Sequence, residues 1–566
     1  MKNLVRTLVQ KGAMKETDVP RLQEAVAQSP NKPLHAIIIE NNFAKEDDVL
    51  PLLAEQFGME YVDLTTAQVD PETIRLMPMK LVHRRNLMPL SRANGSLVVA
   101  TGNPFDVNAI DELQTLTGLH VHPVLASPRE ITRLIKAHFG VGGETVTAMV
   151  QERDAVELLE EIEADDSEIA KQAQEASVVK LVNEILMEAA NERASDIHVE
   201  PEENALRIRY RIDGLLQTQN LPPEINRFQA AIISRIKIMA RLNIAEKRLP
   251  QDGRIKMRVN NREIDVRVSI IPMIHGEGIV MRLLDKSRMV FNLKNVGMLP
   301  ETYGIFKKMI DRPHGIILVT GPTGSGKSTT LYSALNEIKE DTTKIITVED
   351  PVEYQQESIS QIQIHPKIGL TFAACLRSIL RHDPDVILIG EMRDFETAEA
   401  GIQASLTGHL VFSTLHTNDT PSAFTRLIDM GVEPFLVSST VEGVMAQRLV
   451  RTICAECKEG YEPHIGELPA DFPGVSTQTP PKVLYRGKGC RTCHQTGFRG
   501  RTGIYELLVN TDAMKDLIVQ RTNANVLRTE ALKNGMITLR QDGWKKVTMG
   551  VTTIDEVARV TAADLF

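Results

Sequence analysis

The residues Gly321, Pro322, Thr323, Gly324, Ser325, Gly326, Lys327 and Ser328, followed by Thr329, fit the spacing GxxxxGK[ST]. Glycines at this spacing let successive backbone N–H groups close around phosphate oxygens at the positive end of a following helix. Lys327 offers a point charge to the terminal phosphates, and Ser328 offers a hydroxyl to Mg²⁺. A nucleoside triphosphate site is the chemistry these residues predict. Downstream, KIITVEDPVEYQ carries Glu349, Asp350 and Glu353, and DPDVILIGEMRD carries Glu391. A carboxylate placed there can orient or deprotonate an attacking water. Gly390 stands where the strand's usual terminal Asp would be, so contact with Mg²⁺ through water is open to Glu391 and to the Glu349 cluster. His409 and His416 flank LVFSTL, and two histidines around one strand beside a phosphate site read as a phosphate sensor.

Two further sets of residues suggest chemistry. Cys454-x-x-Cys457 and Cys490-x-x-Cys493 supply four thiolates in two short pairs, each able to take two adjacent corners of a Zn²⁺ tetrahedron. Two disulfides are the competing reading. The opening MKNLVRTLVQKG lacks a signal-peptide core, which favours a reducing compartment and hence the metal. The fifth cysteine, Cys375, falls on the apolar side of a helix and is expected in a core. The segments RIRYRIDG and REIDVRVSI alternate as half-buried strands do, which puts Arg207, Arg209 and Arg211 on one face. That face is either simply solvated or aimed at bound phosphates. Arg377 and Arg381 are one helical turn apart, so both can face one site.

The elements that must position these groups are legible in the periodicity. Ile316–Thr320 is a short β-branched run before the glycines, and a helical pattern follows them. The carboxylate and histidine segments recur at spacings suited to successive strands of one sheet, whose C-terminal ends bind ligands. Earlier, residues 3–56 hold a repeat at an offset of 30, aligning Leu8 with Ile38, Gly12 with Asn42, Asp18 with Asp48 and Val19 with Val49. Each copy reads as a helix, a turn and a second helix with acidic residues in its first turn. An Asn94-Gly95 hairpin, a helix over about 107–117, the strand HVHPVLA and a helix from Pro128 make a small α/β unit. Residues 152–168 hold nine acids against one arginine, so this linker carries eight of the net nine negative charges. Residues 190–300 are basic, with 19 Lys+Arg against 13 Asp+Glu. No apolar run approaches the ~18 residues of a membrane span. One Trp, eight Tyr and an overall negative charge argue against a nucleic-acid translocase.

The phosphate loop, acidic box, Glu391 strand and histidine box within 315–420 together resemble the secretion-ATPase superfamily that drives type II secretion and type IV pili. ASDIHVEPEENALRIRYRIDG, KRLPQDGRIKMRVNNREIDVRVSI and HGEGIVMRLLD resemble the same family. The resemblance implies an α/β fold. It comprises a RecA-like P-loop ATPase core, a preceding α/β (PAS-like) domain, an N-terminal helical/α+β docking domain and a zinc-bearing C-terminal helical region. The implied divisions are 1–140 for docking, 141–177 for the acidic linker and 178–300 for a domain supplying arginines. The core would occupy 301–450, the tetracysteine module 451–500 and the helical region 501–566. By resemblance Glu391 is the catalytic glutamate, and His416 couples the γ-phosphate state to subunit movement. Arg254 and Arg267 would reach a phosphate site across a subunit interface in a ring of six. The implied cofactors are ATP, Mg²⁺ and Zn²⁺, the zinc module being a feature of extension-type motors. The implied partners are an inner-membrane platform protein and cytoplasmic-face assembly proteins, with no direct nucleic acid. The implied location is cytoplasmic, attached peripherally to the inner membrane through those partners. Type IV pilus assembly is the main reading, type II secretion the alternative within the family, and a non-hydrolysing nucleotide-gated scaffold a distant one. Some family members bind cyclic di-GMP on a paired helical motif opening with Leu-Gly; here both openings lack it, and Asn42 replaces the second mid-motif glycine.

Overall fold

The computed structural model describes residues 2–28, 33–65, 69–70, 73–74, 77, 81–82, 85–93, 95–139, 167–285, 291–475, 477 and 481–561. The chain forms two compact units, Met1–Ser287 and Arg288–Phe566. The first begins with the helical repeat: Lys2–Gln10 and Val19–Gln28, then Leu34–Glu40 and Glu46–Phe57. The aligned Leu8 and Ile38 are both fully buried in one core with Leu4, Leu22, Val49 and Leu53. Gly12 and Asn42 take the same left-handed turn, at φ 72° and 55°. Asn tolerates that conformation better than other side chains, so the repeat survives the substitution. β1 (Leu87–Ala93) and β2 (Ser96–Thr101) form the hairpin, and β3 (His120–Leu125) joins β2 in parallel after helix Val107–Thr117. Asp106 caps that helix by accepting from the Ala109 N–H. Helix Pro128–Phe139 follows. Most of the acidic linker lies outside the described residues; helix Ser167–Asn191 takes up the chain again.

The rest of this unit is a six-stranded antiparallel sheet: β4 (Asp196–Pro201), β5 (Leu206–Ile212), β6 (Leu215–Thr218), β7 (Gln251–Val259), β8 (Arg262–Met273) and β9 (Gly276–Asp285). The order is β6-β5-β4-β9-β8-β7. Period-2 alternation sends Ile197, Val199, Ile208, Tyr210, Val266, Val268 and Met281 to one face, into a core with Leu181, Ile185, Ile232 and Ile236 of helices Ser167–Asn191 and Gln229–Met239. The Tyr210 hydroxyl donates to the Ile185 carbonyl at 2.9 Å. The opposite face is left to charged side chains.

In the second unit β10 (Gly315–Thr320), β11 (Ile345–Glu349), β12 (Ser360–Gln363), β13 (Val386–Ile389), β14 (Leu410–Leu415) and β15 (Val441–Ile453) run parallel. Strands β16 (Lys458–Tyr461) and β17 (Leu484–Gly487) form a separate ribbon, and β18 (Phe498–Val509) pairs antiparallel with β15. The large sheet has the order β12-β11-β13-β14-β10-β15-β18. Strands β10, β11, β13 and β14 are buried along their whole length. Continuous apolar runs rather than alternation are what a sheet covered on both faces requires. Two cores do the covering, one including Ile316, Leu318 and Phe424, the other Ile317, Val319 and Phe412. Residues 458–475 and 481–487 are more regularly built than their weak periodicity predicts. The β16–β17 ribbon, Phe472 stacked edge-on to Trp544, and Asp471 accepting from Arg540 and the Trp544 indole all anchor them. Among the described residues no helix is long and apolar enough to cross a membrane.

Candidate active site and metal centre

The phosphate loop leaves the C-terminal end of β10 and turns directly into helix Lys327–Ile338, with Gly326 at φ 90°. Two glycines are forced by crowding. A Cβ on Gly321 would stand 2.6 Å from the Gln447 carbonyl oxygen, and one on Gly326 would stand 2.8 Å from Gln447 Nε2. Lys327 Nζ turns inward and donates to the Gly321 and Pro322 carbonyls at 2.8 and 3.1 Å. Burial lowers its ammonium to about 8; the charge of Arg448 adds to the effect and Glu391 opposes it. The Ser325 hydroxyl is buried with no hydrogen-bond partner. A lysine short of counter-charge, an orphaned hydroxyl and free helix N–H groups all fit an anionic triphosphate with its Mg²⁺.

Three adjoining strand ends complete the site. Glu391 follows β13 and is mostly buried; its Oε2 lies 2.7 Å from Arg393 Nε and 3.3 Å from His416 Nε2. Those two neighbours hold one carboxylate oxygen at the C-terminal edge of the sheet. His416 follows β14, and the next residue binds the phosphate strand, with Thr320 and Thr417 hydroxyls 2.7 Å apart and the Thr417 N–H donating to Thr320 Oγ1. The second histidine belongs elsewhere. His409 precedes β14 at the opposite end, where its Nδ1 lies 2.8 Å from the Ala404 carbonyl and caps helix Phe395–Leu406. A pair of histidines flanking one strand necessarily sits at opposite ends of it, so only His416 reaches the site.

Glu349, expected among the catalytic carboxylates, is buried at the end of β11. It accepts from the Tyr332 hydroxyl, from Thr347 Oγ1 at 2.5 Å and from Gln361 Nε2 at 3.1 Å. Its carboxylate thus ties β11 and β12 to the phosphate-loop helix. Gly390 makes this packing possible, since a Cβ there would come within 3.2 Å of Glu349 Cα. Arg377 and Arg381 lie at the C-terminal end of one short helix. Helix Phe372–Ile379 ends between them, and Arg381 folds back to donate to the Arg377 carbonyl at 2.6 Å.

The antiparallel sheet of the first unit assembles an arginine row that sequence spacing only partly disclosed. Register places Arg254, Arg267 and Arg282 opposite one another on β7, β8 and β9, then Asp196 on β4 and Arg211 on β5. Arg254 is bound bidentately by Asp265, and Asp196 accepts from Arg282 at 2.9 Å. Arg207 and Arg209 pair with Glu202 and Glu200. Arg282 carries no mark in the sequence, and alternation places Arg211 on a face without showing which residues lie beside it. Arg448, one of two arginines in the largely apolar run VEGVMAQRLVRTI, has no motif to mark it.

All five cysteines are free thiols, and Cys375 is core. The other four gather with every Sγ within 4.8 Å of the rest. Sγ separations are 3.7 Å for Cys454–Cys490, 3.8 Å for Cys457–Cys493 and 3.6 Å for Cys490–Cys493. A regular tetrahedron with Zn–S bonds of ~2.3 Å has S···S edges of about 3.8 Å, so the geometry fits Zn²⁺. Burial pushes the Cys457 thiol up to about 12. Burial also acts upward on Cys493, but N–H donors from Cys490 and Gly497 outweigh it and bring that thiol to about 7.

Residues 171–559 match the family described as Type II/IV secretion system protein, and residues 57–145 match the MshEN domain. The type IV pilus assembly ATPase PilB of Myxococcus xanthus is 44% identical over 535 residues, covering 94% of this chain and 94% of that protein. The type II secretion system protein E of Xanthomonas campestris is 43% identical over 565 residues, covering 99% and 98%. The ADP-bound pilus retraction motor PilT is 27% identical, covering 67% of this chain and 97% of that one at a TM-score of 0.44. The family match over residues 171–559 and the two relatives of 44% and 43% identity agree: the chain belongs to the Type II/IV secretion system protein family.

Proposed function

We propose that this chain hydrolyses ATP as a ring-forming motor that powers type IV pilus assembly. The observation that carries the reading is the meeting of Lys327, Glu391 and His416 at the C-terminal edge of one parallel sheet. Residues 321–329 bind the triphosphate, Ser328 takes Mg²⁺, and the ion neutralises charge on the phosphates. Glu391, held by Arg393 and His416, orients the attacking water. Glu349 acts as a positioning residue. Arg254 and Arg267, presented on one sheet face, supply positive charge to a neighbouring subunit's phosphates within a hexamer, where a trans arginine is worth ~10³–10⁵ in rate. Arg377 and Arg381 belong to the same electrostatic surround. Cys454, Cys457, Cys490 and Cys493 hold one structural Zn²⁺.

Force would pass to an inner-membrane platform protein, with assembly proteins at the cytoplasmic face and the motor attached peripherally. Residues 1–140 are read as docking and regulatory, a role that the MshEN match supports, with cyclic di-GMP as the ligand to titrate against the full chain. The relative of 44% identity supports the pilus reading, and one of 43% that spans 99% of this chain is also consistent with a type II secretion pseudopilus. Deleting the gene and scoring surface pili and secreted enzymes side by side separates them. Loss of pili with secretion intact is expected, and the reverse would overturn the pilus assignment.

A further inference from the structure

Strand β15 does more than flank β10. Ala446 pairs with Thr320, the last residue of β10, so Gln447 and Arg448 continue alongside the phosphate loop. Gln447 is buried and its Oε1 accepts from Thr330 Oγ1 at 2.8 Å, bracing the helix that the loop enters. Arg448 braces the other end. Its Nη1 is 3.1 Å from where a Cβ on Gly321 would stand, and it donates to the Gln447 carbonyl at 3.0 Å. From there Nη2 reaches across to donate to the Asn418 carbonyl at 3.1 Å and to Asn418 Oδ1 at 3.3 Å. Asn418 lies two residues after His416. One planar guanidinium therefore lies beside Gly321 at the start of the phosphate loop and hydrogen-bonds the segment bearing His416. A lysine has no rigid fork with which to make these contacts together.

The segment is tied down at other points too. Asp419 pairs with Arg528 at 2.7 Å, and the Thr420 N–H and hydroxyl both donate to Glu506. Thr417 is bonded to Thr320, as above. Of these ties, the Thr417 and Arg448 links lead to the phosphate loop, while the other two lead to the C-terminal region. Arg448 adds a charge as well as a link: it is half-buried, desolvation acts against its charged form, and its partners here are neutral carbonyl and amide oxygens. The carboxylates of Glu506 and Asp419 partly offset that burial, and anionic phosphates arriving at the loop add to them.

We propose that Arg448 is the positioning residue through which filling of the phosphate loop sets the placement of His416. The proposal rests on the nucleotide-hydrolysing reading above, and its test separates the two. Hydrogen exchange is followed on the full chain with and without Mg²⁺ and a non-hydrolysable ATP analogue. In the unaltered protein the analogue should protect both 321–328 and 415–422. In Arg448→Gln, with analogue raised to equal occupancy, 321–328 should remain protected while protection at 415–422 falls at least tenfold. Arg448→Lys, which keeps the charge but not the fork, should behave as Arg448→Gln does. Turnover should fall more than tenfold in both while KM changes less than threefold. If either variant fails to fold, Asn418→Ala removes one of the two contacts and should reduce the 415–422 protection alone. Full protection of 415–422 in a folded variant would overturn the proposal, as would its absence in the unaltered protein. Absence of any protection at 321–328 in the unaltered protein would instead refute the nucleotide site itself.

Discussion

Lys327 makes nucleotide affinity depend on pH in a direction the structure fixes. With no phosphate present its ammonium is held by two loop carbonyls and titrates at about 8, through burial first and the charge of Arg448 second. Bound phosphates restore the missing counter-charge and return the group towards the ordinary lysine range of about 10.4. Binding therefore takes up a proton wherever pH exceeds the free-site value. Affinity should be flat below about pH 8 and should weaken about tenfold per pH unit above it. At pH 9.5 only about 3% of free sites carry the proton, so Kd should rise roughly 30-fold, or ~2 kcal/mol. The assay is titration calorimetry with Mg²⁺ and a non-hydrolysable ATP analogue from pH 7.5 to 9.5, above the titration of the terminal phosphate near ~6. Repeating it in buffers of different ionisation enthalpy counts the proton directly. Lys327→Gln should bind weakly and without the slope. A Kd that stays constant across this range would refute the reasoning, and an equal slope in Lys327→Gln would assign the proton to another group.

Further perturbations have equally definite outcomes. Purified protein should carry one zinc per chain, and replacing all four clustered cysteines by serine should abolish it; metal retained at one per chain would exclude the tetrathiolate site. Glu556 is buried between Arg451 and Arg559, each 2.8 Å away, and titrates at about 2. A carboxyl depressed from its ordinary 4.5 to about 2 adds ~3 kcal/mol of stability, present above pH 4.5 and lost as pH falls towards 2. Trp544, the single tryptophan, is buried in the same C-terminal region and reports its unfolding. The gap in denaturant midpoints, read from its fluorescence, between the unaltered protein and Glu556→Gln at pH 6 should shrink to less than half by pH 3 and close only as pH falls below 2; a constant gap would contradict the assignment. Arg267→Ala should lower turnover by at least ~10³ while leaving the Kd for nucleotide within about twofold, and parallel loss of binding and turnover would place the residue in its own subunit's site or in the fold.

How much of this was legible in the sequence depended on whether the chemistry was local. The phosphate loop is contiguous, and the strand and helix around it carry their own periodicity, so Lys327 and Ser328 could be placed from spacing alone. The tetracysteine cluster was legible for the same reason, each CxxC being a local half-site that needs only one long-range meeting. The helical repeat was readable despite its substitution, because Asn42 and Gly12 share a backbone conformation and Leu8 and Ile38 a buried position. What escaped depends on register and on helix ends. Arg282 and Arg211 join Arg254 and Arg267 only through strand pairing, which alternation does not specify. The helix carrying Arg377 stops before Arg381, a boundary that the sequence pattern does not specify. Arg448 carries no motif, and its position follows from how β15 passes β10. Glu349 had the right location at a strand end, but its commitment to Tyr332, Thr347 and Gln361 is a property of packing.

The central claim is that the site turns ATP over with Glu391 as the residue that prepares the attacking water. Phosphate release by the purified full chain in Mg²⁺ and ATP, measured beside Glu391→Gln with nucleotide binding followed in the same samples, tests it most directly. Steady release by the unaltered protein, loss of at least ~10² in the variant, and ATP binding retained in both are expected. Undiminished release in the variant, or binding without turnover in the unaltered protein, would contradict it.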